Sequence, residues 1–245
     1  LNHTNFIPMI GKHLNKFMRP IFKVPGEGAY AFLMGLISGY PVGAKIVCHL
    51  RENGLCTKDE GERMLAFTNN SGPLFIVGTV GISLFKNQTI GIILLVTHIL
   101  ACITVGILFG FMKKKDKIKW DRYNVDTTQK DNKTLGGILG ESIKNAISTI
   151  LIIGGFVVIF SIIISILNNS RILEIISKMA SPIATNIGIN TEFVKPILAG
   201  LIELTNGVKL VSESSIVNYN LSIILSAFLL GFGGISVLLQ VSSIV

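Results

Sequence analysis

Apolar and polar positions alternate along this chain in long blocks, not in the short period of a soluble fold. Three runs, Ile90–Met112, Ile147–Leu167 and Leu221–Val245, carry no Asp, Glu, Lys or Arg. About 20 apolar residues suffice to cross the hydrocarbon core of a bilayer, so each run predicts a spanning helix. Three further apolar stretches are interrupted. Residues 26–50 break at Gly39-Tyr40-Pro41-Val42-Gly43, and residues 64–85 at Thr68-Asn69-Asn70-Ser71-Gly72-Pro73. Residues 196–211 break near Asn206-Gly207. Proline removes a backbone donor and clashes with the preceding turn, while glycine admits non-helical backbone. Each stretch therefore reads as helix–break–helix or as a re-entrant hairpin. Between them lie amphipathic or charged segments: residues 1–25, 51–63, 135–145 and 170–190. Thr57 and Glu60 have the spacing of a capping box that opens the helix after the charged loop.

Two of the interrupted stretches resemble each other. Gly35-Leu36-Ile37 aligns with Gly200-Leu201-Ile202, and after a one-residue gap Gly43-Ala44-Lys45-Ile46-Val47 aligns with Gly207-Val208-Lys209-Leu210-Val211. The match resumes downstream, with Ala66-Phe67 over Ala227-Phe228 and Gly72 over Gly233. Broken polar segments in corresponding places of an apolar chain are the pattern of a transporter built from repeats. The expected division is a lead-in (residues 1–25), a first repeat (26–112), a basic cytoplasmic loop with an interfacial helix (113–146) and a second repeat (147–245). The fold class is all-α: a polytopic helical membrane protein with inverted repeats and broken or re-entrant helices.

Charge orients the chain. The 22 Lys and Arg against 14 Asp and Glu give a net charge of +8. The excess follows a spanning run directly, as Lys113, Lys114, Lys115, Lys117, Lys119 and Arg122, and precedes the first apolar stretch as Lys12, Lys16, Arg19 and Lys23. Such clusters mark cytoplasmic loops, so the charge indicates membrane orientation and not a nucleic-acid partner. With residues 1–25 inside and both hairpins re-entrant, the two copies enter from opposite faces. The sole tryptophan, Trp120, falls in the basic loop. Cys48, Cys56 and Cys102 have no metal spacing, and no nucleophile elbow, P-loop or zinc pattern is present; neither cofactor, metal nor enzyme activity is expected. The chain starts at Leu1 and ends on Val245, which suggests a piece of a longer protein.

Candidate chemistry sits at the breaks. Lys45 and Lys209 occupy matched repeat positions, and a charge at membrane depth tends to face a cavity or a partner. Together they could hold two anionic groups of one substrate; the alternative is that each snorkels to the interface. Asn69, Asn70, Ser71 and Asn206 offer hydrogen bonds beside Gly43 and Gly72, where a ligand can approach the backbone, although Asn and Ser also join helices in membranes. Glu203 is the acid inside the second break. It is a candidate for ion coupling or for a pair with Lys209. Gly231, Gly233 and Gly234 could admit a further break, Gln240 reads as an interhelical hydrogen bond, and His98, alone in a spanning helix, reads as a helix–helix hydrogen bond in preference to a proton relay.

The runs Gly35-Leu36-Ile37-Ser38-Gly39-Tyr40-Pro41-Val42-Gly43-Ala44-Lys45 and Thr68-Asn69-Asn70-Ser71-Gly72-Pro73, with Lys23-Val24-Pro25-Gly26 upstream, resemble the YlbJ-like sporulation integral membrane proteins of endospore-forming bacteria. The resemblance covers most of the chain, lacks the family's N-terminal helices and is looser in the second half. It implies a nucleoside-recognition, or gate, domain, distantly similar to concentrative nucleoside transporters. It further implies export of dipicolinic acid from the mother cell across the outer forespore membrane. The partners expected are a small dipicolinate-like anion and the lipid bilayer; a homo-oligomer stays open. A nucleoside or other small-solute carrier, and a non-transporting membrane scaffold, are the competing readings.

Overall fold

The computed structural model describes residues 6–112 and 134–245. The basic loop, including Trp120 and the 113–119 lysine cluster, lies outside the described residues. Among those described, every regular element is helical: α1 Phe6–Phe22, α2 Gly28–Ser38, α3 Val42–Glu52, α4 Lys58–Thr68, a π-helix Leu74–Leu84, α5 Gln88–Met112, α6 Leu135–Asn169, α7 Ile172–Asn186, α8 Val194–Ile202, α9 Leu204–Glu213, α10 Tyr219–Phe232 and α11 Gly234–Ser242. Among the described residues, three stretches are long and apolar enough to cross a membrane: Gln88–Met112, Leu135–Asn169 and Tyr219–Ser242. Most of the first two is not buried by the protein itself, as expected where lipid is the solvent. This is an integral membrane protein of the all-α class.

The chain forms two compact units. One takes in residues 6–70, 102–112, 134–151 and 244–245; the other takes in residues 71–101 and 152–243. The divide at Asn70/Ser71 falls inside the first sequence repeat, at its second break.

In the first unit, α2 and α3 form a helical hairpin. Its turn is Gly39-Tyr40-Pro41, where Gly39 has φ +77° and the Tyr40–Pro41 peptide is cis. A side chain at Gly39 would meet the left-handed penalty. The arms close on glycine: a Cβ added at Gly35 or at Gly43 would overlap the Thr68 carbonyl. Thr68, the last residue of α4, thus lies against the first turn of α3. Below it Phe67 packs between Phe22, at 5.1 Å, and Phe32, at 5.8 Å, over a core of Val24, Val47, Leu50 and Met64. The capping box is present: Glu60 N–H donates to Thr57 Oγ1, and Thr57 N–H donates to Glu60 Oε2 at 2.9 Å. Glycines also admit the end of α5, since Gly106 abuts the rings of Phe22 and Phe67, and Gly110 the backbone at Ile21–Phe22.

In the second unit, α8 and α9 form the corresponding hairpin, and here Gly200 and Gly207 face each other. The third neighbour is again the aligned one: Leu229, at the position matching Thr68, covers Gly200 with its side chain. The relation seen in sequence is therefore a relation of packing, with each hairpin pinned by a glycine pair against the next helix. Gly233, matching Gly72, sits at φ +79° and separates α10 from α11, so the third apolar run is two helices. The π-helix ends with Phe85 N–H donating to the carbonyl of Val80, five residues back, and crosses α5 at Gly81 and Gly91.

Two expectations are corrected. Asn206 and Gly207 are helical; the break is at Glu203, whose backbone is extended at φ −141°, ψ 119°. Residues 135–145 are not a separate interfacial helix but the start of the 35-residue α6. No breaker intervenes, and helix propagation is cheap once begun.

Candidate functional site

The second break of the first repeat concentrates buried polar atoms without protein partners. Thr68 is fully buried and Asn70 is 1% exposed. Thr68 Oγ1, Asn69 Oδ1 and Asn70 Nδ2 make no hydrogen bond. A buried polar group with no partner costs about 1–3 kcal/mol, and folded proteins rarely leave three on consecutive residues. The chain takes this conformation because Asn69 leaves the helix at φ −92°, ψ 92°, and Pro73 cannot continue α4. Asn70 Oδ1 is held by Cys102 of α5, whose Sγ–H donates at 2.9 Å. That contact fixes the amide and leaves its NH2 as the free end.

The hairpin beside this break ends in a helix start. No side chain caps α3 at Pro41, and Val42 N–H donates to the Gly39 carbonyl at 3.1 Å, so the positive end of the helix dipole meets an anion through the amides that follow Val42. Lys45, in the first turn and a half, donates Nζ–H to Thr149 Oγ1 of α6 at 2.7 Å. Thr149 in turn donates to the Asn145 carbonyl.

The second hairpin differs at the same place. Glu203 is 2% exposed. Its carboxylate accepts from the Thr205 and Asn206 amides at 2.9 and 2.8 Å and from Asn206 Nδ2 at 2.8 Å. Asn206 Nδ2 also donates to Ser161 Oγ of α6 at 2.7 Å. Glu203 therefore serves α9 as an N-terminal cap, and its polar partners are all internal. The expected alternative, a Glu203–Lys209 pair, is not formed. Lys209 Nζ lies 4.0 Å from Glu213 Oε1 one turn onward, with a side chain 61% exposed. The opposed helix faces of positions 203 and 209 explain this, because partners on a helix lie three or four residues apart.

A family model described as "Gate: Nucleoside recognition" matches residues 150–245, the part that holds the second hairpin and α10–α11. The sporulation integral membrane protein YlbJ of Bacillus subtilis (strain 168) is 34% identical over 97% of this chain. The chain belongs to the YlbJ-like family. It spans 62% of the length of that relative. No solved structure matches it.

Within this YlbJ-like chain the polar residues singled out by sequence separate into distinct local settings. Thr68, Asn69, Asn70, Gly43 and Lys45 fall in the first unit; Ser71, Gly72, Glu203, Asn206 and Lys209 fall in the second. Two contributors to the break were not singled out. In the sequence Thr68 marks only the start of the break, whereas its buried hydroxyl has no partner. Cys102 has no metal spacing in the sequence; its spacing of four from His98 on α5 is the available signal. His98 Nε2 accepts the Ser71 amide at 3.2 Å, so it holds loop backbone and not a neighbouring helix side chain. Gln240 bonds within α11 to Ser236 Oγ at 3.4 Å.

Proposed function

We propose that this chain is the core of a transporter for a small anionic solute and that the solute is dipicolinic acid, carried out of the mother cell across the outer forespore membrane. The observation that carries this reading is the run of unpartnered buried polar atoms at Thr68–Asn70, placed where α4 ends ahead of the apolar π-helix. Non-helical backbone at membrane depth is tolerated where it faces protein or a watery cavity, and broken helices with free N-termini are how transporters hold anions. Asn70 Nδ2 and Thr68 Oγ1 supply donors, the start of α3 supplies backbone amides, and Lys45 supplies a cation in the same unit. A planar pyridine dicarboxylate matches that donor set. The relative's name, a sporulation membrane protein, supports the setting.

The match to a nucleoside-recognition model favours a second reading, a nucleoside carrier. Binding separates the two. Labelled dipicolinate should bind purified full-length protein saturably and be displaced by pyridine dicarboxylates but not by uridine. Displacement by uridine, with no loss to dicarboxylates, would select the nucleoside reading.

A further inference from the structure

We propose that His98 is the proton-binding residue that couples a pH gradient to the break at Asn70–Ser71. The proposal rests on the transport reading above and names its coupling ion. His98 lies near the middle of α5, an apolar helix, and is 7% exposed. Its Nε2 accepts the backbone N–H of Ser71 at 3.2 Å. A ring nitrogen that accepts carries its lone pair, so in this state the imidazole is neutral with its proton on Nδ1. Ser71 is three residues past the end of α4, and the residue before it, Asn70, bears the unpartnered amide of the candidate site.

Protonation changes this contact in kind. The imidazole takes up one proton at Nε2 and becomes an imidazolium with two N–H donors and no acceptor. The Ser71 amide then faces a donor, so backbone at residue 71 must turn away or the proton must leave. Asn70 is carried by the same backbone, so the proton and the solute that uses Asn70 act on one structural element, and linkage between them is reciprocal.

Among the described residues, the elements around this contact offer few other ionisable groups. The break and the π-helix, residues 69–84, contain no titratable side chain, and α5 carries only Cys102 besides. Residues 152–169 of α6 contain none either. In the second hairpin Glu203 is engaged by the start of α9, and Lys209 pairs with Glu213; Tyr219 of α10 packs its ring on Phe85. Imidazole is the side chain whose ordinary titration falls between pH 5 and 8.

The test uses His98→Gln in the full-length protein, since a Gln carbonyl can accept the Ser71 amide but cannot bind the proton. Amide hydrogen exchange of residues 68–75 is measured in membranes at pH 5.5 and 7.5, wild type against variant at each pH. Exchange should be about equal at pH 7.5 and at least fivefold faster in the wild type at pH 5.5; a ratio unchanged between the two overturns the proposal. Should the variant fail to accumulate, the wild type alone decides, by whether residues 68–75 gain exchange relative to α10 as pH falls. In vesicles, one proton per solute gives about a tenfold change in dipicolinate accumulation per pH unit imposed. The variant should lose that dependence. Gradient-driven uptake persisting in the variant overturns the proposal. A pH-dependent exchange ratio without uptake of dipicolinate at any pH supports the His98 switch and rejects the transport reading.

Discussion

Asn70→Leu should raise stability and destroy binding at once. Leucine is close to asparagine in shape and has no polar atoms. In the unliganded protein Asn70 Nδ2 is buried without a partner, and removing such a group relieves about 1–3 kcal/mol. The substitution also removes the acceptor for Cys102 Sγ–H; a thiol is a weak donor, so the loss is at most about 0.5–1.5 kcal/mol. The net change is about 0 to +2 kcal/mol, an upward shift of a few degrees in the unfolding midpoint at roughly 2–4 °C per kcal/mol for a chain of this size. The ligand loses a charge-assisted hydrogen bond worth about 1.5–3 kcal/mol, or about ten- to a hundredfold in affinity. Thermal unfolding in detergent, with and without dipicolinate, reads both quantities. The opposite result, a fall of 2 kcal/mol in stability with dipicolinate affinity unchanged, would show that Asn70 joins helices and is not a ligand group.

Alanine at Gly43 or Gly207 should lower folded protein sharply, because each new Cβ meets backbone, at Thr68 or at Gly200. Overpacking costs about 1–3 kcal/mol or more, whereas Gly154→Ala, with open space at that position, should be neutral or stabilising by up to about 1 kcal/mol; quantified membrane yields and melts compare the three. Glu203→Gln should destabilise by about 1.5–3 kcal/mol through loss of the charged cap. Normal melting with transport lost would instead make Glu203 a coupling residue. Burial, and then the neighbouring Glu60 carboxylate, push the Cys56 thiol up to about 12. Unfolded Cys56 ionises near its ordinary value of about 8.5, so the folded form loses relative stability as pH rises above that value, and alkylation at pH 8 should be slow until the protein unfolds. Fast alkylation in native membranes would contradict the packing around Cys56.

The breaks were legible because their residues leave the backbone few choices. Gly39 with Pro41, and Gly72 with Pro73, set a residue free to leave helical backbone next to one that lacks an amide donor, and the repeat alignment places the glycine pairs Gly35/Gly43 and Gly200/Gly207 in register. The second hairpin was misplaced by three residues because Asn206-Gly207 looks like a breaker in isolation. Its helix starts at Leu204 because the buried Glu203 carboxylate takes the Thr205 and Asn206 amides, a tertiary fact in which Ser161 also shares. The join of residues 135–145 to the spanning run needed no special residue and so left no sign. The Lys209–Glu213 pair is legible in its spacing of four, a closer match to helix geometry than the six residues between Glu203 and Lys209. The His98–Ser71 and Cys102–Asn70 contacts were not readable, since neither residue's partner is near it in sequence.

The central claim is that this chain carries a small anion across a membrane through the Thr68–Asn70 break, and vesicle uptake tests it most directly. Full-length protein and its Asn70→Leu variant are reconstituted at equal density, and the initial uptake of labelled dipicolinate is compared with that of uridine. The account predicts saturable dipicolinate uptake by the wild type, about tenfold or more lower in the variant, and uridine uptake at the level of empty vesicles. Dipicolinate uptake no faster than in empty vesicles, or equal in wild type and variant, would contradict it.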